Sequence, residues 1–314
     1  MDKTTILCFG EMLWDKISPT NKQPGGAPMN VALHLLKHGH DVCLVSRIGN
    51  DNDGNDLLDF IRPSGLSLDF IQRDATVPTG VVNVVLDDKQ NASYDIVFPS
   101  AWDFIQLDEP LMRKMEEVDM IVFGSLASRN DISRNTLFYL LKSNATKVFD
   151  VNLRAPYYSK ELLEDMMLVA DIIKLNHEEI AIIASWYGQH ALTLEDQMRW
   201  LSKQFSCGTL CVTRAENGAA MLHEDIYTEH PGYVVKVEDT IGSGDAFLAS
   251  FISGIIHQYA PSTILSNACA LGAYLATCKG ANPEYDLNEN YIMEVKRAFE
   301  KSLKGLQNNG YSGF

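Results

Sequence analysis

Two glycines and an aspartate open a helical stretch in "EDTIGSGDAF", residues 238–247. Gly242 and Gly244, with Ser243 between them, let successive backbone N–H groups point into one concavity. The start of a helix adds positive potential, and together these make an anion hole. Asp245 lies inside the same first turn. A carboxylate there would repel a resting anion, but it suits a hydroxyl attacking a phosphoryl group. It orients the hydroxyl and takes its proton while the N–H groups stabilise the transferring oxygens. The helix dipole predicts an ionised Asp245 that acts through position rather than through a raised pKa. Alone, G-S-G-D also fits a plain helix cap.

Other polar residues fall where apolar runs end. Glu11 and Asp15 follow the first run; Asp150, Asn152 and Arg154 follow "KVFDVN"; Asn176, Glu178 and Glu179 follow "DIIKLN". "TLCVTRAENGA" offers Thr213 and Arg214. Open α/β sheets bind ligands at the carboxyl ends of their strands, so these groups gather at one rim. Asp150 and Asn152 serve equally well as ligand contacts or as braces of their loop. No G-x-x-x-x-G-K-[ST] occurs and no G-x-G-x-x-G follows the first strand, against a P-loop enzyme or a dinucleotide oxidoreductase. Cys207 and Cys211 lack a second ligand pair at zinc spacing and read as buried thiols. His34, His38 and His40 close an amphipathic helix without a nearby carboxylate, which predicts a solvated C-terminal turn.

The elements that must position these residues alternate. "TILCFG" and "DVCLVS" read as strands, separated by the helix "APMNVALHLLKHG" with Pro28 in its first turn and Gly39 past its end. A short helix follows near 53–61. From 118 on, "DMIVFGSL", "KVFDVN", "DIIKLN" and "TLCVTR" are continuous apolar runs, as in strands buried on both faces. Helical segments 131–143, 159–169, 177–187 and 194–205 lie between them, and helices near 243–259, 262–278 and 288–304 close the chain. The pattern predicts a three-layer α/β/α fold on a mostly parallel sheet with right-handed crossovers. Residues 11–18 and 68–98 break the alternation. The latter reads as three strands with turns at 74–79 and 87–91. Together they predict a small sheet serving as a lid on a single domain of 314 residues. Its alternation includes Val82, Val84 and Ile96, apolar positions that need cover from closure on a ligand or from a second subunit's lid in a homodimer.

Charge narrows the partners. With 26 basic and 41 acidic side chains, a net charge of −15, the chain repels phosphate backbones and carries no basic stripe, so nucleic acid is not expected. "AFLASFISGII" and "ACALGAYLA" are too short for a membrane span of about 20 residues. No signal segment is read at the N-terminus, and six cysteines lack a disulfide framework, which predicts a cytoplasmic protein.

Taken together, the motifs carry a resemblance. "DTIGSGDAF" resembles the C-terminal signature D-T-x-G-A-G-D of the PfkB (ribokinase-like) carbohydrate kinases, and "PGGAPMNVALHLLKHG" with "RIGNDNDG" their N-terminal one. "KLNHEE" matches the N-x-x-E element between them, and the likeness covers essentially the whole chain. "GGAPxNVA", G-E-x-L-x-D and D-x-N-x-R at 150–154 look most like bacterial fructokinases. The resemblance implies ATP and Mg2+ as cofactors and Asp245 as catalytic base. It implies that Asp15, Gly26, Asn30 and Arg154 hold the sugar, Arg154 by contact with the sugar or the transferring phosphate. Asn176 and Glu179 would organise magnesium through water. Thr213, Gly218 and the segment around Asn267 would line the nucleotide pocket, and Asp239 with Thr240 would offer a site for K+. Ser243 replaces the usual Ala, and Ala215 a frequent Gly. No Arg stands near "DIVFPSAWD", where relatives acting on acidic sugars often carry one. The expected reaction is fructose to fructose 6-phosphate. Ribose, a nucleoside or 2-keto-3-deoxygluconate are the alternative substrates, and a catalytically silent sugar-binding regulator is the alternative class.

Overall fold

The structure is a computed structural model that describes residues 3–18, 21–86 and 92–287. The helix expected at 288–304 and the turn at 87–91 lie outside these residues. In chain order the strands are β1 (Thr5–Phe9), β2 (Leu13–Ser18), β3 (Asn21–Gly25), β4 (Asp41–Gly49), β5 (Ile71–Asp74), β6 (Gly80–Leu86), β7 (Ala92–Ile96), β8 (Met120–Gly124), β9 (Thr146–Asp150), β10 (Ile172–Asn176), β11 (Thr209–Thr213), β12 (Ala219–His223) and β13 (Ile226–His230). The helices are α1 (Ala27–Lys37), α2 (Asn52–Ile61), α3 (Glu109–Lys114), α4 (Asp131–Leu140), α5 (Lys160–Val169), α6 (His177–Trp186), α7 (Leu194–Phe205), α8 (Ser243–Ile256) and α9 (Pro261–Ala276).

Among the described residues a nine-stranded sheet runs β13-β12-β11-β10-β9-β8-β1-β4-β5. It is parallel except for the β12–β13 hairpin at one edge, which adds antiparallel to β11. The period-2 pleat sorts each strand between two cores. Leu7, Phe9, Ile121, Phe123 and Ile173 join the cluster with α4, α5, α6 and α7. Ile6, Cys8, Met120, Val122 and Ile172 join the one with α1, α2 and α8. Burial on both faces is why these runs are apolar throughout.

The second sheet is small, separate and mixed, in the order β3-β2-β6-β7. Two boundaries differ from expectation. Residues 71–74 pair with β4 at the edge of the main sheet rather than joining the small one. Residues 21–25 supply a strand to the small sheet that the sequence did not announce, because Pro24 and Gly25 read as turn. Val82 and Ile96 are already buried, at 5% and 6% exposed, in the chain's own core with Leu13 and Trp102. They need no second subunit; Val84's side chain is outside the described set. On the opposite face Trp14 Nε1 donates to Asp53 O at 2.9 Å, and Lys16 and Lys22 both pair with the Asp53 carboxylate. The small sheet is therefore tied to α2 at its root.

The histidines also differ from expectation. His34 and His40 are buried rather than solvated, because α8 and the segment after α9 pack over the end of α1. Cys207 and Cys211 are buried free thiols. The described residues contain no cluster of three metal-ligating side chains. None of their helices is long and apolar enough to cross a membrane.

Candidate active site

The carboxyl ends of β1, β9, β10 and β11 face the start of α8. Gly242 caps α8 with φ 76°, and a Cβ there would fall 2.5 Å from Ala281 Cβ, so only glycine allows this approach. The Ser243 N–H turns back to Thr240 O at 3.2 Å and is withdrawn from the donors expected of Gly242, Ser243 and Gly244. Among the described residues, the N–H groups of Gly242, Gly244 and Asp245 make no hydrogen bond. A helix start leaves such donors free for an anion.

Asp245 is reached from the far end of the sequence. Asn30 Nδ2 donates to Asp245 Oδ2 at 2.8 Å, joining two signatures 215 residues apart. Contrary to the dipole argument, Asp245 is not held at an ordinary carboxylate pKa. Burial pushes it up to about 6; Asp150 adds to the rise, while Asn30, Lys174 and Arg154 oppose it. Desolvation outweighs the half-charge of one helix end.

Two further acids face the same space. Glu11, 4% exposed, is pushed up to about 7, mainly by burial. One of its oxygens accepts the Ala27 N–H at 3.3 Å; the other, Oε2, is buried without a partner among the described residues. Asp15, on β2, rises to about 6 for the same reason. Arg154, exposed on the loop after β9, is the cation that opposes the shift of all three. Gly26 caps α1 at φ 112°, with Glu11 O where its Cβ would be. Asp15, Gly26, Asn30, Arg154 and Asp245 thus converge.

Lys174 was not singled out from the sequence. Its Nζ donates to both oxygens of Asp150 at 3.0 Å in a buried pair and lies 3.6 Å from where a Gly244 Cβ would be. Burial opposes its charge, but Asp150, Glu179 and Asp245 hold its pKa above the ordinary value. The signal was available: a lysine inside the apolar run "DIIKLN" requires a buried partner. Asp150 is therefore that partner.

Asn176 and Glu179 form a capping box on α6. Asn176 Oδ1 accepts the N–H groups of Glu178 and Glu179, and Glu179 Oε2 accepts that of Asn176 at 2.8 Å. Glu179 Oε1 accepts the Leu153 N–H at 2.8 Å, which holds the loop carrying Arg154. Both carboxylate oxygens are so engaged that Glu179 has at most one lone pair per oxygen left for a water on a metal. Burial, then the charge of Asp150, raises its pKa. Asp239 likewise accepts the N–H groups of Ile241 and Gly280, at 3.0 and 3.1 Å, and ties the loop before α8 to the one after α9. Thr240 O receives Ser243 in the adjoining turn.

Beside the anion hole opens a cleft of about 760 Å³. Asn176, Thr213, Gly218, Thr240, Ser243, Gly244 and Phe247 line it, together with Tyr233 and Val234. Asn267 is not among its lining residues. The face of α9 toward the cleft is Cys269, Gly272, Ala273 and Ala276, a 3.6-residue stripe that residue 267 does not share. Arginine is also present in space where the sequence shows none. Arg129 reaches the end of β7, 3.9 Å over the Trp102 ring and 5.0 Å from that of Phe98. It is 1% exposed, bound to both oxygens of Asp103 and to Val97 O, and so has no charge to offer an acidic ligand.

The sequence matches the family described as "pfkB family carbohydrate kinase" over residues 4–287. A fructokinase of Klebsiella pneumoniae is 28% identical over 276 residues, 82% of this chain and 87% of that one. The crystal structure of a Xylella fastidiosa fructokinase with bound ATP superposes with a TM-score of 0.81 at 25% identity, covering 96% of this chain and 99% of that one. An uncharacterized sugar kinase of Pyrococcus horikoshii in complex with ATP gives 0.77 at 25% identity, covering 92% and 99%.

Proposed function

This chain belongs to the pfkB family of carbohydrate kinases, and on that premise we propose that it phosphorylates fructose to fructose 6-phosphate with ATP. The observation that carries the reading is the Asn30–Asp245 hydrogen bond beside the free N–H groups of α8. It supports a carboxylate acting as base, oriented by an amide, beside donors that can receive an anion. Asp15, Gly26, Asn30 and Arg154 bind the sugar, acceptors and donors alternating as vicinal hydroxyls require. Asp245 accepts the proton of the attacking hydroxyl as the new O–P bond forms and the bond from the γ-phosphorus to the bridging oxygen breaks, ADP departing with that electron pair. Gly242, Gly244 and Asp245 donate N–H groups to the transferring oxygens, and Lys174 adds positive potential behind them. The cleft lined by Thr213, Gly218 and α9 takes the nucleotide, a reading supported by its volume and by the bound ATP in the structure of the Xylella relative.

The donor set around Asn176 and Glu179 forms no closed cage, which fits Mg2+ arriving on nucleotide phosphates and keeping its waters. When bound, that ion neutralises phosphate charge; Glu179 contributes by holding the 151–154 loop and a water. K+ beside Asp239 and Thr240 would reinforce a tie already made by two backbone N–H groups, and turnover in K+ against choline buffer tests it.

Neutral fructose is favoured over an acidic sugar because Asp103 already satisfies Arg129. An ATP-consumption screen over fructose, ribose, adenosine, 2-keto-3-deoxygluconate, mannose and tagatose decides. Fructose is expected to be turned over best. Faster turnover of another sugar overturns the specificity, and turnover of none supports a silent regulator instead. The small sheet is proposed to close over the sugar, shielding transfer from water. Pairing with a second copy's sheet is proposed only through residues other than Val82 and Ile96, which the chain's own core already covers. Small-angle scattering with and without fructose tests both: dimensions unchanged by fructose remove the closure, and a monomer removes the pairing.

A further inference from the structure

Asn30, His34 and Lys37 recur at helical spacing on α1 and so share one face. Each grips the segment that follows α9. Lys37 Nζ donates to Pro283 O at 2.7 Å and sits 4.4 Å from the centre of the Tyr285 ring. His34 holds two points, Nδ1 lying 2.7 Å from the Tyr285 hydroxyl and Nε2 3.0 Å from Ala281 O. A carbonyl only accepts, so Nε2 carries the proton and Nδ1 accepts from the hydroxyl. Asn30 holds Asn282, whose Nδ2 donates to Asn30 Oδ1 at 2.7 Å.

These bonds run in one direction. An ionised Asp245 can only accept, so Asn30 must turn its NH2 toward it. That leaves the Asn30 carbonyl, in a residue 4% exposed, in need of a donor. Asn282 supplies it. The reverse orientation of Asn30 would press a carbonyl oxygen against the carboxylate. Asn282 Oδ1, at the end of the row, is buried with no partner among the described residues. Its amide is therefore not placed to satisfy its own hydrogen bonds.

We propose that Asn282 is a positioning residue: by donating to Asn30 Oδ1 it fixes the Asn30 amide and, through it, the direction of the Asp245 carboxylate. The inference rests on the kinase reading for the task of Asp245, though not for the geometry. The groups that face Asp245 from the elements around it are Asn30 on α1, Lys174 and its partner Asp150, Arg154, and the acids Glu11 and Asp15. None of them touches the Asn282–Asn30 bond in a way that would replace it.

The test uses the full chain with Asn282→Asp, Asn282→Leu, Asn30→Ala and the paired variants, each checked for folding by thermal unfolding. Asn282→Asp is isosteric but accepts only, so Asn30 should reverse and face Asp245 with its carbonyl. Turnover should fall about 10²-fold, the scale for a misdirected catalytic group. The acidic limb of the kcat profile should rise by about one pH unit. Asn282→Leu, which removes the donor without adding charge, should lower turnover roughly tenfold, with KM for the sugar little changed. In the Asn30→Ala background both effects should shrink to about twofold or less, because the connection is gone. A limb shift by Asn282→Asp that persists without Asn30 would be through-space charge, and additive losses would be general damage; either result overturns the proposal. The Asn30 side-chain amide resonances give a readout that needs no substrate. They should report the Asp245 titration in the wild type and lose it in Asn282→Asp. If no sugar is turned over but this change occurs, the kinase reading fails and the positioning survives; an unchanged Asn30 signal rejects the positioning whatever the activity.

Discussion

The side of the cleft proposed for the sugar and the side proposed for the phosphate are built from different materials. On the proposed sugar side three desolvated acids, the buried Glu11 and the half-buried Asp15 and Asp245, have pKa values pushed up to about 7, 6 and 6, with the exposed Arg154 opposing the rise. On the phosphate side the work falls to backbone N–H groups at the start of α8, the closed Lys174–Asp150 pair and an apolar cleft wall. Side-chain acids must be desolvated to recognise hydroxyls tightly, and desolvation moves them into the physiological pH range. Backbone donors do not titrate and are insensitive to which side chain sits beside them. The two sides should therefore answer differently to mutation and to pH.

The strongest test of this contrast is Asp245→Ala. Turnover should fall by roughly 10²–10⁴, the range for loss of a positioned general base, while fructose binding measured by calorimetry survives. Near-normal turnover would make Asp245 a helix cap and dissolve the sugar side as a catalytic unit.

Titration comes next in size. Asp245 serves as base only when ionised, so kcat should be level above pH 7 and fall toward tenfold per unit below about 6, through a group held at that value by burial. Stability should run the other way for these acids. Their folded pKa values lie above the unfolded ones, so their contribution is full below the unfolded pKa near 4 and is lost as pH rises through 6 and 7. Glu11→Gln should flatten that loss in thermal unfolding between pH 5 and 8. An unaltered slope would show that Glu11 carries little of it. His34 acts in the opposite sense: its pKa is lowered to about 3, so its contribution stands above pH 6.5 and is lost as pH falls toward 3.

Glu179→Gln examines the border between the two sides. A glutamine has one acceptor oxygen for the two N–H groups of Leu153 and Asn176. The Mg2+ concentration for half-maximal activity should rise severalfold, on the order of one hydrogen bond of about 1 kcal/mol. Reduced activity with unchanged Mg2+ dependence would confine Glu179 to holding the Arg154 loop.

The smallest effect belongs to Ser243→Ala. Only the backbone of this residue is used, and its N–H is already turned to Thr240 O, so turnover should change by less than about threefold. A larger loss would mean that the phosphate side also depends on side-chain chemistry, which would erase the contrast.

Much of this was legible in the chain itself. Continuous apolar runs alternating with helical spacing determined the parallel sheet, since a strand covered on both faces has no polar side to show. Paired glycines before an aspartate determined the free N–H groups and the carboxylate at the start of α8, because φ above zero and an open helix start are local properties. What only the tertiary structure decided depends on neighbours brought from far along the sequence. Strand β5 joined the main sheet because β4 offered an open edge, a choice that its own four residues do not contain. Lys174 became part of the site through Asp150, His34 a fastener through Ala281 and Tyr285, and Asn267 was turned off the cleft by the phase of α9. The raised pKa of Asp245 belongs here as well. The helix start that favours its charge is written in adjacent residues, whereas the burial that overrides it is the sum of walls from Asn30 to Lys174, and desolvation exists only once those walls have met.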